Sequence, residues 1–309
     1  MMRNILGRDS MKKIISTLIL CLVLLGMVFP CTVSADMGPK PSVRITFENM
    51  SDEVCYGTLL SKLESTGPAS AWDGKEENIH SNDLDLDIWR AFVEYQDADG
   101  YYFLQWGWLC SETKQLNWTY YPPSSFKILL YYPESDTYAV SDIYERYAFD
   151  SYFTVDMDGV KIGNVTSDEA GKEAILTADK SYDYTWETIS LVCRIVITII
   201  LEILIAFLFK FGQKKLLLVI AGINVITQVL LNVSLNIINY TKGSRAFVWN
   251  YILLEIVVFA VEAFIYSLLF GKYSKTERHK EKAVLYAFVA NACSFAAGLF
   301  IATIIPGIF

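Results

Sequence analysis

LLLVIAGINVITQVLLNVSLNII, residues 216–238, contains no ionisable side chain. At a rise of about 1.5 Å per residue, such a helix crosses a hydrocarbon core about 30 Å thick. Its polar residues follow a rule: Asn224, Gln228, Asn232 and Asn236 recur at a constant spacing of four. Four residues turn an α-helix by about 400°, so the stripe drifts only about 40° per step and stays on one face. In lipid that face has to meet other helices, because amides exposed to hydrocarbon are costly. The stretch therefore reads as one member of a membrane bundle.

Three further apolar runs supply the other members, at 189–211, 247–270 and 283–305. The expected fold class is a multi-domain membrane protein. An all-β, sandwich-like extracytoplasmic domain is followed by a C-terminal four-helix transmembrane bundle. The expected boundaries are a signal peptide at 1–35, a β-rich domain at 36–162, a connector at 163–186 and the bundle at 187–309.

The loops set the orientation. Lys210, Lys214 and Lys215 lie between the first two runs, and Lys272, Lys275, Arg278, Lys280 and Lys282 between the last two. Only Lys242 and Arg245 lie between the second and third. The excess of positive charge places the first and third loops in the cytoplasm and the β-rich domain outside. The N-terminus agrees. Lys12 and Lys13 precede an apolar core from Ile14 to Phe29, and Val33-Ser34-Ala35 forms a small-residue cleavage pattern. Translation starts at Met1 or at Met11, which directly precedes the lysines. The expected location is the plasma membrane, multi-pass, with the lipid bilayer as the first partner. A homo-oligomer or a larger membrane complex is the second, since four helices make a small bundle.

Charge divides the same way. Residues 36–187 hold 28 Asp and Glu against 11 Lys and Arg, a net of −17, while the whole chain is −8. An acidic outer domain argues against nucleic acid and anionic headgroups as partners. Its strands are expected at Val43–Glu48, Val54–Leu60, Ile88–Tyr95, Tyr101–Leu109, Phe126–Tyr132 and Tyr147–Val155, rich in aromatic and β-branched residues. Asp97-Ala98-Asp99-Gly100 and Asp156-Met157-Asp158-Gly159 read as hairpin turns. Together these suggest an antiparallel sandwich.

Chemistry in this domain is sparse. Cys55 and Cys110 are its only cysteines. They are a disulfide candidate in an exported domain, the alternative being two buried free thiols. Asp83, Asp85 and Asp87 alternate with leucines, which would place three carboxylates on one strand face as a weak metal site for Ca²⁺, or else simply a solvated edge. His80 stands alone, no zinc spacing occurs, and no cofactor is implied. No catalytic residues are assigned.

The bundle carries the sharper signal. Arg194, Glu202, Glu255 and Glu262 lie inside spanning segments, where ionisable groups are a functional hypothesis by default. Counted from the cytoplasmic ends, Glu202, Asn224, Glu262 and Asn291 fall in one layer about 12–14 Å deep. They form a candidate ion or proton site, or else hydrogen-bonded glue between helices. Arg194, Asn232 and Glu255 fall in an outer layer, where Arg194 is expected to pair with Glu255.

Three stretches also resemble known sequences. They are Ala35-Asp36-Met37-Gly38-Pro39-Lys40-Pro41-Ser42, Cys55-Tyr56-Gly57-Thr58-Leu59-Leu60-Ser61 and Tyr182-Asp183-Tyr184-Thr185-Trp186. They are similar to a family of exported multi-pass membrane proteins of Gram-positive bacteria that has no known activity. The resemblance implies the same layout of signal, outer domain and C-terminal helices, and brings no substrate.

Two functional expectations follow. The first is a non-enzymatic plasma-membrane protein with an extracytoplasmic binding or sensing module on a four-helix base. The second is a cation- or proton-conducting transporter or channel component that uses the intramembrane Glu/Asn layer. An intramembrane hydrolase is a distant third, since both histidines fall outside the apolar runs and no aspartate lies within them.

Overall fold

The computed structural model describes residues 38–80, 84–158, 160, 174–273 and 279–304. The signal segment 1–35 with both candidate starts, Asp83, residues 163–173, and Lys275 and Arg278 lie outside the described residues. The strands are β1 (Ser42–Glu48), β2 (Tyr56–Ser61), β3 (Ser65–Thr66), β4 (Ala69–Ser70), β5 (Tyr102–Phe103), β6 (Trp108–Leu109), β7 (Gln115–Trp118), β8 (Ser125–Tyr132), β9 (Thr137–Ser141), β10 (Tyr144–Glu145), β11 (Asp150–Asp156), β12 (Ala174–Leu176) and β13 (Ala178–Lys180). The helices are α1 (Leu86–Glu94), α2 (Cys110–Thr113), α3 (Thr185–Leu208), α4 (Lys214–Lys242), α5 (Ser244–Tyr273) and α6 (His279–Ile304).

The alternation in β1 decides how the N-terminal sheets pack. Val43, Ile45 and Phe47 are buried while Arg44, Thr46 and Glu48 are exposed, as a strand with one wet face requires. β1 lies inside a four-stranded sheet of order β13-β11-β1-β7. Its buried residues share one core with Leu59 of β2, with Phe126, Ile128 and Leu130 of β8, and with Trp118 and Phe153. β2 and β8 belong to a second sheet, of order β12-β9-β8-β2-β5 with β10 and β6 paired alongside. β8 is buried on both faces. Its opposite side, through Leu129 and Tyr131, packs with Ile88, Trp89 and Phe92 of α1. Each fully buried side chain of this size contributes about 1.5–3 kcal/mol.

Four expectations change here. Of the strand expected at 88–95, residues 88–94 form the greater part of helix α1 and Tyr95 is its C-cap. Asp85 caps that helix by accepting from the Asp87 amide at 2.9 Å, and Ile88, Trp89 and Phe92 return to one buried face at helical spacing. The sheets are mixed rather than antiparallel, since β1 pairs with β11 and β12 with β9 in parallel. The stretch read as a connector supplies β12 and β13, whose partners β9 and β11 are distant in the chain. The Asp97–Gly100 turn is present, with Gly100 N donating to Asp97 O at 3.0 Å, but it joins α1 to β5 rather than two strands.

In the C-terminal part, α3, α4 and α5 are long and apolar enough to cross a membrane. α6 packs against α3 and α5 and completes a four-helix arrangement among the described residues. The helices bury polar groups and expose apolar ones. Val192, Val196, Ile200, Leu204 and Leu208 form an exposed row on α3, while Glu202, Asn224, Gln228 and Glu262 are buried. A surface of this kind is stable in lipid and not in water.

The sheets and helices meet around Tyr240, near the end of α4. Its carbonyl accepts from the Phe149 amide at 2.8 Å, and its ring lies 5.3 Å from Tyr182 and 6.2 Å from Tyr147. Gly243 ends α4 with φ +80°, and a Cβ there would stand 2.6 Å from the Phe149 ring. Both the conformation and the close approach require glycine.

Candidate functional site

The inner layer is assembled from all four long helices. α3 brings Glu202, α4 brings Asn224 and Thr227, α5 brings Glu262 and Tyr266, and α6 brings Tyr286 and Asn291. Glu202, Asn224 and Glu262 are fully buried, and Asn291 nearly so. Asn224 Nδ2 donates to Glu202 Oε2 at 2.6 Å, and the same oxygen accepts from the Tyr286 hydroxyl at 3.1 Å and the Tyr266 hydroxyl at 3.4 Å. Glu262 accepts on both oxygens, from Thr227 Oγ1 at 2.7 Å and from Asn291 Nδ2 at 2.7 Å. The two carboxyl groups come within hydrogen-bonding reach of each other. The four residues picked out by depth are therefore neighbours.

Thr227, Tyr266 and Tyr286 complete the cluster and were not among the expected residues. A signal existed for two of them: Thr227 follows Asn224 by three positions and Tyr266 follows Glu262 by four, which keeps each on its neighbour's face.

Arg194 lies over the ring of Tyr251, 5.3 Å from its centre, and the Tyr251 hydroxyl hydrogen-bonds Glu255 one turn further along α5. Arg194 and Glu255 thus share a tyrosine. Asn232 Nδ2 donates to Gln228 O at 2.8 Å on its own helix, and its side chain lines the same cavity as Arg194.

That cavity, about 390 Å³, lies between the sheets and the helices. Tyr152, Ser181, Tyr182 and Asp183 wall it on one side. α3 contributes Trp186, Glu187, Ser190 and Arg194, α4 contributes Asn232, Asn236 and Asn239, and α5 contributes Phe247. The Thr185 hydroxyl and amide hold the Asp183 carboxyl below its ordinary value of 3.8, so this wall stays anionic at neutral pH. Burial, and then the neighbouring Glu187 carboxylate, push the Tyr182 phenol up, and its hydroxyl donates to Glu187 at 2.8 Å. The polar stripe on α4 runs from this cavity through Asn232 and Gln228 to Asn224.

The candidates in the β-rich domain do not converge. Asp85 caps α1, and Asp87 is exposed with Arg90 at 3.2 Å, so these two do not share a strand face; Asp83 lies outside the described residues. Among the described residues no group of three or more His, Cys, Asp or Glu is placed to hold a metal. His80 is exposed. Cys55 and Cys110 are free, buried thiols. Each donates instead to a nearby carbonyl, Tyr56 O at 3.7 Å and Trp108 O at 3.5 Å. Burial pushes the Cys55 thiol up to about 12, which makes it a poor nucleophile.

No protein-family model matches the chain, and comparisons with curated proteins and with solved structures return no match.

Proposed function

We propose that this chain is a non-enzymatic plasma-membrane protein that senses a small polar ligand in the cavity between its β-rich domain and its helices. In this reading the N-terminal segment directs export. All four long helices span the bilayer, the acidic domain lies outside, and the basic loops lie in the cytoplasm. The family suggested by the three sequence stretches fits the same layout. The observation that carries the proposal is the composition of the cavity wall: Asp183, Glu187, Arg194 and three asparagines converge there from both parts of the molecule. A pocket of a few hundred cubic ångströms with a few convergent polar groups is the usual form of a ligand site. A ligand held by both walls changes how the domain sits on the helices, and so reports outside chemistry to the membrane part.

The test is a thermal-shift screen of the full chain in lipid nanodiscs. The panel contains amino acids, small sugars and divalent cations, run beside Asn236→Phe, which fills the cavity. At least one compound should raise Tm in the parent and not in the variant. No response to any compound, or equal responses in both proteins, would sink the proposal.

A second reading, conduction of a cation or proton, is favoured by the polar stripe that links the cavity to the Glu202 and Glu262 layer. Single cysteines at 202, 224, 262 and 291, in a chain lacking Cys193 and Cys293, would label with an impermeant thiol reagent if a wet path reaches the layer. Glu262→Gln should then abolish flux, and persisting flux would remove this reading.

A further inference from the structure

Inside the bundle, Glu202 Oε1 and Asn224 Oδ1 are buried with no hydrogen-bond partner among the described residues. Each is an acceptor, and an unmet buried acceptor costs about 1–3 kcal/mol. Their positions are related. The two side chains are already joined through their other atoms, Asn224 Nδ2 to Glu202 Oε2 at 2.6 Å. A carboxyl group and a primary amide pair through two bonds only when the acid carries its proton. The amide N–H then serves one carboxyl oxygen, and the acid O–H serves the amide oxygen. The first of these bonds is present, and the two atoms left over are those the second would join.

The geometry points to Glu202 as a proton-binding site, occupied at neutral pH, with the proton on Oε1 and Asn224 Oδ1 as its acceptor. Every other carboxyl oxygen in the layer is supplied with donors. Glu202 Oε2 receives Asn224, Tyr266 and Tyr286, and Glu262 receives Thr227 and Asn291. Glu262 therefore has a donor on each oxygen, and Glu202 Oε1 is the carboxyl oxygen of the layer left without one.

The titratable groups facing Glu202 are Glu262 and Tyr266 from α5 and Tyr286 from α6, while α4 presents only Asn224 and Thr227. A hard cation is the competing occupant, but it wants about six or more oxygen ligands, and among the described residues this layer leaves two buried side-chain oxygens open. Neither a ligand in the outer cavity nor flux through the bundle is needed for this proton, which the inner layer holds in an acid–amide ring.

Infrared spectroscopy of the full chain in nanodiscs, with glutamate carboxyls isotopically labelled, tests it directly. The parent protein should show a protonated-carboxyl band at neutral pH that shifts in D₂O. Glu202→Gln should lose the band and keep the fold, because the Gln amide N–H can serve Asn224 Oδ1. Glu255→Gln and Glu262→Gln should each retain the band. If Glu202→Gln does not fold, the double variant Glu255→Gln/Glu262→Gln decides, and must retain it. Absence of the band in the parent, or its loss only in Glu262→Gln or Glu255→Gln, overturns the assignment. So does a stability that rises with Na⁺ or K⁺ at constant ionic strength, which would mean an alkali ion occupies the site.

Discussion

Asn291 donates its amide to Glu262 across the α5–α6 contact at 2.7 Å, with both side chains buried. Glu262 has no second donor for that oxygen among the described hydrogen bonds, so the amide carries this end of the carboxyl group. Asn291→Leu is expected to destabilise the bundle by about 1–3 kcal/mol, the cost of leaving a buried acceptor unmet. Reversible unfolding in mixed micelles would measure it. A variant as stable as the parent would mean that Glu262 finds another donor and that the amide is dispensable.

Gly243 sets how the β-rich domain seats on α4. Gly243→Ala forces a Cβ to within 2.6 Å of the Phe149 ring and strains a φ of +80°. Phe149 is the residue whose amide bonds Tyr240 O, so the substitution works against the junction and not against either core. Limited proteolysis should release the N-terminal domain faster from Gly243→Ala, while the thermal transition of the sheets stays in place. Unchanged cleavage would show that the Tyr240 ring contacts hold the junction alone.

What could be read from the residues differs by element, for physical reasons. β1 and β8 were legible because an alternating or long apolar run has one economical use in a sheet. α1 was not: Leu84, Leu86 and Ile88 alternate with Asp85 and Asp87 and imitate a strand. Only the buried set Ile88, Trp89 and Phe92, with Asp85 as cap, reveals the helical period. β12 and β13 are three residues each and are stabilised by partners far away in the chain, which no local pattern encodes. The inner layer was legible because residues at equal distances from the matching ends of antiparallel helices lie side by side. Tyr266 and Tyr286 were not, since tyrosine in an apolar helix is ordinary until its hydroxyl is seen to reach Glu202.

Lys127 is nearly buried and bridges two carboxylates, Asp97 at 2.7 Å and Asp99 at 2.6 Å. Burial works against its ammonium, but hydrogen bonds to Asp97 and Asp99 outweigh this and hold it above its ordinary 10.5. Stability from Lys127 is therefore present below that value and lost as pH climbs past it. Asp99 is held below its ordinary 3.8 by the hydrogen bond from Lys127, so its share is present above that value and lost as pH falls further. Lys127→Met leaves Asp97 Oδ1 without its ammonium while the Asp99 and Tyr101 amides stay on Oδ2, and should cost about 1–3 kcal/mol. Chemical denaturation of the full chain across pH should show the parent's stability falling at both extremes. Lys127→Met should start lower and lack the alkaline fall, and an alkaline limb unchanged in the variant would assign it to another group.

Gly57 lies where β2 passes α2. A Cβ added there would meet Cys110 Sγ at 2.7 Å, Leu130 Cδ2 at 2.9 Å and Leu116 Cδ1 at 3.2 Å. All three neighbours are fully buried, so none can swing into solvent, and the collision has to be absorbed by the core between the sheets. Overpacking of this kind costs about 1–3 kcal/mol. Gly57→Ala should lower the denaturant midpoint accordingly. It should also speed alkylation of Cys110, because relief of the clash moves the sulfur first. Pairing Gly57→Ala with Cys110→Ala removes the nearest colliding atom and should recover part of the loss. If the pair is simply additive, Leu130 and Leu116 set the strain, and the sulfur is a bystander.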